Sequence, residues 1–281
     1  MGKTGGVEYY VWLGVGISAC AIAGVAARIA LTNAAHAAGF FPNSSQISVN
    51  MLGSFVIGLL FGIPKLVDHM PLVYHSLAAG FCGSLTTFSS WINAIMQPGS
   101  DWSAELITGL TVPFIALLLG KDLASFVFQS VELSEGPKNW QQRLDRFFVG
   151  FVAVAVVAVM VPLGITEAVE TAYLIESSLG PLGALTRAVL AFTVNGKFLE
   201  HFMIGTFIAN VIAVLIVGSL SSCRNDDKWC EYSIVGIAGS LSTVSSWALD
   251  TVKIYSKNRQ WAYCYCLVSV GVCLALMAPF R

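Results

Sequence analysis

Gly80-Phe-Cys-Gly83-Ser84-Leu85-Thr86-Thr87-Phe88-Ser89-Ser90-Trp91 returns further along the chain as Gly236-Ile-Ala-Gly239-Ser240-Leu241-Ser242-Thr243-Val244-Ser245-Ser246-Trp247, with eight of the twelve positions identical at an offset of 156. Two upstream landmarks keep nearly the same step. Gly24-Val-Ala-Ala-Arg28 matches Gly183-Ala-Leu-Thr-Arg187 at an offset of 159, and Asn50 matches Asn210 at 160. Each Asn is followed eight residues later by a glycine, Gly58 or Gly218. Three landmarks in one order at one step define an internal repeat.

The medium around the repeat follows from composition. Hydrophobic residues make up 56% of the 281 positions, charged residues only 11%, and mean hydropathy is +0.74. Soluble domains carry about 25% charged residues, so the partner of this surface is a lipid bilayer. A net charge of −1 offers no basic face, which excludes nucleic acid. The seven cysteines show no C-x-x-C pair and no Cys/His metal spacing. Cys20, Cys82 and Cys273 sit in apolar runs as small hydrophobes, and Cys223 and Cys230 share one polar loop where a disulfide forms if that loop faces an oxidising space. The first apolar run is too long for the core of a cleavable signal peptide.

Apolar runs near 9–33, 45–64, 71–97, 102–127, 146–166, 170–194, 201–221, 231–254 and 260–280 are each long enough to cross the membrane as helices. The expected fold is all-α: about nine transmembrane helices, as a first four-helix repeat (1–130), a loop and linker helix (131–169) and a second four-helix repeat (170–281). The odd helix between two four-helix units inverts the second in the membrane. It has no polar residue from Val149 to Val161, so its expected role is topological. Loop charges set orientation. One side collects Lys3, Lys65, Lys121, Lys138, Arg143, Arg146, Lys197, Lys253, Lys257 and Arg259, and the other only Arg224, Lys228 and Arg281. That bias places the N-terminus in the cytoplasm and the C-terminus outside. The loop near 166–181, with Glu167, Glu170 and Glu176, then falls outside.

The third span of each repeat is small, hydroxyl-rich and mid-membrane. Close packing through small residues is one reading of such a stretch; the expected one is a broken third helix in each repeat, whose freed backbone groups together with Ser and Thr hydroxyls can hold an ion. Arg28 and Arg187 lie inside spans, where a charge is expensive unless it snorkels, pairs or faces a vestibule. No carboxylate sits centrally in a span, and His36, His69, His75 and His201 fall in loops or at span ends. These absences count against proton-coupled transport. Nothing resembles a nucleotide loop or a nucleophile–base set, so the chain is read as no enzyme.

The quoted stretch resembles the G-F-x-G-[GS]-x-T-T-F-S-T-F signature of the Fluc (CrcB) fluoride channels. The upstream motifs agree as Gly24 to Arg28 and Val49 to Gly58, and the fused two-repeat form with a linker helix is similar to the eukaryotic fluoride exporters (FEX). The resemblance implies passive, selective fluoride export across the plasma membrane by a monomer that is its own pseudo-dimer, with a proton-coupled fluoride transporter as the alternative. It implies a central structural Na⁺ on the carbonyls of Gly83, Thr86, Gly239 and Ser242, and vestibular Arg28 and Arg187. It also implies pore Asn at Asn50 and Asn210, with Thr87 beside them, and ring-edge contacts at the positions of Phe88, Trp91, Val244 and Trp247.

The departures from the family pattern make the two pores unequal. Related dimers take the first aromatic of each pore from one subunit and the second from the other. One pore here therefore holds Phe88 with Trp247, and the other Val244 with Trp91. A Tyr-x-x-x-Ser track follows in the second repeat as Tyr265 and Ser269, whereas the first repeat has Gly109 and Pro113 at those distances. One working pore and one vestigial pore are expected, and either Asn could serve the working one.

Overall fold

A computed structural model describes residues 3–39, 45–129, 138–165, 170–197 and 199–281. The expected unit boundaries at 130/131 and 169/170, and Glu167, lie outside the described residues. Within them there are helices and turns and no strand. Five helices are long and apolar enough to cross a membrane: Gly6–Ala37, Trp102–Val127, Trp140–Ile165, Thr171–Val194 and Arg259–Phe280. Two shorter apolar helices, Gln46–Gly62 and Ile204–Leu220, accompany them. The remaining crossings are the composite segments that carry the repeated stretch.

The first repeat consists of α1 (Lys3–Ala37), α2 (Ser45–Gly62), a short α3 (Leu66–His69), the composite third segment, and α7 (Trp102–Val127). The composite begins as α4 (Pro71–His75), widens to a π-helical stretch at Ser76–Cys82 and tightens to α5 (Gly83–Leu85). It then breaks at Thr86-Thr87 and resumes as α6 (Phe88–Ile95). The linker is α8 (Lys138–Ile165). The second repeat follows the same plan: α9 (Thr171–Val194), α10 (Ile204–Leu220), then α11 (Lys228–Tyr232), a π-helical stretch at Ser233–Ala238, α12 (Gly239–Leu241), a break, α13 (Val244–Lys257) and finally α14 (Arg259–Met277). The wide turns are as repeated as the sequence, and such turns concentrate where a helix must serve a site.

Close approach explains the small residues that flank the motif. A Cβ on Gly24 would stand 2.6 Å from the Phe81 carbonyl, and one on Gly183 would stand 2.2 Å from that of Ile237. Phe81 and Ile237 are themselves matched positions. The first helix of each repeat therefore lies against the π-helical stretch of its own third segment, which only glycine permits.

The linker helix lies at the edge of the bundle against α1 and α4, and its mid-span residues are mostly exposed, as a lipid-facing helix would be. Its role is not only topological. Asp145, 2% exposed, accepts the backbone N–H groups of Leu72 and Val73 at 2.9 Å each, one on each carboxylate oxygen. The cap position of α4, Met70, has no side chain able to cap, and Pro71 follows it. The linker therefore supplies the missing cap from 72 residues away in sequence. In the second repeat α11 is capped locally, Asp227 accepting from the Trp229 N–H at 2.9 Å. An ion pair between Arg146 and Glu8 ties the linker to α1 as well.

Candidate functional site

The two breaks meet at the centre of the molecule. Backbone at Thr86 (φ −93°, ψ 148°) and Thr87 (−140°, 117°) is extended, as it is at Ser242 (−83°, 156°) and Thr243 (−155°, 132°). Each break is clamped by the Asn of its own repeat. Thr87 N–H donates to Asn50 Oδ1 at 2.9 Å, and Asn50 Nδ2 donates to the Thr87 carbonyl at 3.4 Å. The matching pair, Thr243 N–H to Asn210 Oδ1 and Asn210 Nδ2 to the Thr243 carbonyl, measures 2.8 and 3.3 Å. The side-chain amide imitates a strand neighbour, which is how extended backbone is satisfied at membrane depth.

The hydroxyls then lock one break to the other. Thr86 Oγ1 accepts the N–H groups of Val244 and Ser245, each at 3.2 Å, so it caps α13 of the other repeat. Ser242 Oγ accepts from Ser89 N–H at 3.2 Å and does the same for α6. Thr87 and Thr243 cap their own helices by accepting from Ser90 and Ser246 N–H. Thr87 Oγ1 also lies 3.2 Å from Ser242 Oγ and 3.0 Å from Ser90 Oγ, so its hydroxyl belongs to this network. Two helix N-termini, each a partial positive charge, thus meet at the molecular centre among hydroxyls and with no carboxylate in their caps.

Arg28 and Arg187 are 5% and 2% exposed, too deep to snorkel. Arg28 donates to the carbonyl of Ser84 in its own repeat at 2.8 Å and to that of Val235 in the other. Arg187 donates across to Gly83 at 2.8 Å and to Ala79, and reaches its own Ser242 carbonyl at 3.4 Å. Ala79 and Val235 are matched positions. The guanidinium fork thus links both broken segments, using carbonyls that the π-helical turns and breaks release. Each Arg also lines a cavity. Arg28 lies in one of about 640 Å³ with Asn33, Asn93, Glu176, Arg224 and Glu231, and Arg187 in one of about 190 Å³ with Tyr74, Asn195, Thr206, Asp250 and Lys253.

Phe88, Trp91 and Trp247 form one buried aromatic cluster. The Phe88 ring stands edge-on to Trp91 at 5.2 Å and to Trp247 at 5.3 Å, and Phe114 meets Trp247 at 5.2 Å. Val244 is fully buried but brings no ring. Helix packing sorts these residues into two sets. In the second repeat α10, with Asn210, packs on α14, with Tyr265 and Ser269, and on α6, with Phe88. In the first, α2, with Asn50, packs on α7 and on α13, with Val244. Ser269 Oγ donates to the Tyr265 carbonyl at 2.6 Å; the Tyr265 hydroxyl approaches the Thr206 side chain without closing a well-formed hydrogen bond. In the first repeat Trp91 Nε1 donates to the Glu105 carbonyl at 2.9 Å, and its indole covers Gly109, where a Cβ would stand 2.0 Å from Cε2.

Of the four carbonyls implied for a sodium ion, two accept from Arg187, those of Gly83 and Ser242. Those of Gly83 and Gly239 lose their helical donors, the N–H groups of Thr87 and Thr243, to the Asn clamps. The donor set is of the right chemistry, but as arranged it serves a guanidinium at two of its four oxygens.

Two features carry little signal in the sequence. The Asp145 cap is one. Another is the chain Asn195 Nδ2 to Thr206 Oγ1 (3.1 Å) to Asp250 Oδ2 (2.7 Å) beside Arg187, a carboxylate nearer the site than its place toward a span end suggested. Its only sequence signal is asymmetry, since Asp250 matches Ala94. The Cys223–Cys230 disulfide, a pairing that their shared polar loop left open, closes the loop after α10.

A model of the CrcB-like protein family (camphor resistance) matches residues 15–121 and again 174–279. Fluoride export protein 1 of Neurospora crassa is 28% identical over 249 residues, which is 73% of this chain and 46% of that protein. Fluoride-specific ion channel FluC 2 of Parasynechococcus marenigrum is 47% identical over 70 residues, 24% of this chain and 50% of its own length. Fluoride-specific ion channel FluC of Prosthecochloris aestuarii is 36% identical over 116 residues, 38% of this chain and 89% of its own length. The matches to the first two span about half of each relative's length. No solved structure matches the chain.

Proposed function

The chain belongs to the CrcB-like family in its fused two-repeat form, and from that premise we propose that it is a passive fluoride channel with one working pore, formed by Asn210, Trp247, Tyr265 and Ser269 of the second repeat with Phe88 of the first. Fluoride is small and strongly hydrated, so a pore must replace water with donors, and donors that bind too tightly would stop conduction. Ring edges, hydroxyls and the two helix N-termini supply donation without a full charge. The guanidinium groups are committed to carbonyls and act on the anion from the vestibules.

One observation carries the asymmetry. Trp91 fills the space over Gly109 that corresponds to Tyr265, with its N–H bonded to the backbone. Supporting it, α2 and α7 approach backbone to backbone. A Cβ on Gly58 would stand 2.1 Å from the Leu117 carbonyl, and one on Gly120 would stand 2.2 Å from that of Phe55. In the second repeat Gly218 faces the Phe280 ring instead. We assign Val244 and Trp91 to the closed, vestigial pore, together with Asn50.

The Asn residues test this cleanly, because both make the same pair of hydrogen bonds at distances that differ by 0.1 Å. Asn→Asp keeps the acceptor for the Thr N–H and adds a charge. Asn210→Asp is expected to abolish fluoride efflux from proteoliposomes. Asn50→Asp, with the same structural burden, is expected to retain most of it. Equal losses would contradict the assignment.

Export follows from the membrane potential: across a plasma membrane, inside-negative, an anion is driven outward with about 2.3 kcal/mol per charge per 100 mV. The positive charge bias of the loops places the N-terminus in the cytoplasm. The Cys223–Cys230 loop then lies outside, in accord with a disulfide. Each repeat supplies the other's helix caps within one chain, which supports a monomer. The sodium ion stays a proposal supported only in part, since Arg187 holds two of its oxygens, and no step of conduction is routed through it. The second reading, a proton-coupled fluoride transporter, draws on Asp250 in the Arg187 cavity; efflux that needed a proton gradient would favour it.

A further inference from the structure

Trp91 and Trp247 are matched positions with different fates. In the first repeat the indole lies over Gly109, and its Nε1 stands 2.9 Å from the Glu105 carbonyl. In the second repeat Tyr265 replaces that glycine at the offset of 156. The same indole placement would run into the tyrosine side chain, because even a bare Cβ at 109 would stand 2.0 Å from the Trp91 ring. Trp247 shares the Phe88 ring with Trp91, lies 6.1 Å from the Trp91 ring and packs against Phe114 as well. Its Nε1 is left with no hydrogen-bond partner although the residue is 0% exposed.

Buried donors without partners are rare and expensive. An indole N–H only donates, so the missing partner is an acceptor and not a cation. The N–H is fully buried beside the Phe88 and Phe114 rings, so an acceptor that reaches it must be small. We propose that the Trp247 indole N–H donates a hydrogen bond to fluoride as it passes Phe88, an inference that rests on the channel reading above. The tryptophan is thereby a selectivity residue. Its N–H is a stronger donor than a ring C–H edge, and because it is neutral it releases the ion. In the first repeat the N–H is spent on backbone.

Indole ¹H–¹⁵N spectra of the full chain, ¹⁵N-labelled at its seven tryptophans, test this directly. The Trp247 signal is assigned by its absence from Trp247→Phe, and from Trp247→Tyr as a second variant should the first not fold. Added fluoride is expected to move the Trp247 indole proton downfield to saturation, chloride is expected not to move it, and the Trp91 proton is expected to respond to neither. Trp247→Phe, which keeps a ring and loses the N–H, is expected to lower fluoride efflux about tenfold, the weight of a hydrogen bond to a charged group. A Trp247 signal indifferent to fluoride in a protein that conducts fluoride would overturn the inference and leave the channel reading intact. A wild type that passes no fluoride would overturn both.

Discussion

Thr86 and Ser242 show how much a single hydroxyl does where a helix is broken. Each caps the helix that follows the other repeat's break, so each holds two repeats together through bonds of ordinary length. Thr86→Val keeps the shape and leaves two N–H groups at the start of α13 without their acceptor. Removing such a cap costs about 1–2 kcal/mol, and Ser242→Ala is expected to cost a similar amount at the start of α6. Thermal unfolding in detergent should show both losses, with a double variant departing from additivity because the hydroxyls share one network. Thr111→Val is the control, since its exposed hydroxyl back-bonds to Ile107 within its own helix. A null effect at Thr86 would mean that the α13 N-terminus is satisfied some other way. That hydroxyls gather at the breaks is legible in the quoted stretch. Which hydroxyl serves which helix is not, because the partners lie more than 150 positions apart. The depth of the two Arg was half legible: they had to be paired or solvated, but backbone carbonyls freed by wide turns leave no trace in a hydrophobic pattern.

At the scale of elements, the linker helix acts as a clamp as well as an inverter. Asp145 compensates for a helix that begins with Met70-Pro71 and cannot cap itself. Asp145→Ala should therefore loosen α4 and the π-helical turn behind it, at a cost of up to about 2 kcal/mol. Asp145→Asn, with one acceptor oxygen left, is expected to fall between. Hydrogen exchange localises the effect: protection should fall in 72–82, and the matching stretch at 228–238, capped by its own Asp227, should be unchanged. Equal changes in both would show that the linker stabilises the bundle only generally. The spans themselves were readable because hydrocarbon demands about 20 apolar residues; the break was read from the hydroxyl-rich stretch, with close packing of small residues as the competing explanation. The π-helical turns were not readable, since the insertion of one residue into a helix turn has no composition of its own.

Across the whole molecule, two inverted copies of one repeat share a central junction but have diverged around it. In the function proposed here, backbone contact between α2 and α7, and Trp91 over Gly109, close one pore, and Tyr265 with the unpartnered Trp247 indole lines the other. The inequality was visible in the sequence as Val244 against Phe88 and as Gly109 against Tyr265. Its physical form, an aromatic ring lying where the missing tyrosine would stand, needed the packed structure. The claim that unites these features is passive, selective fluoride conduction through the pore that contains Phe88. The most direct test is efflux from liposomes loaded with potassium fluoride or potassium chloride, with valinomycin present and no pH gradient, for wild type and Phe88→Ile. Rapid release of fluoride but not chloride, lost in Phe88→Ile, is the predicted result; release that requires a proton gradient, or that persists unchanged in Phe88→Ile, would contradict it.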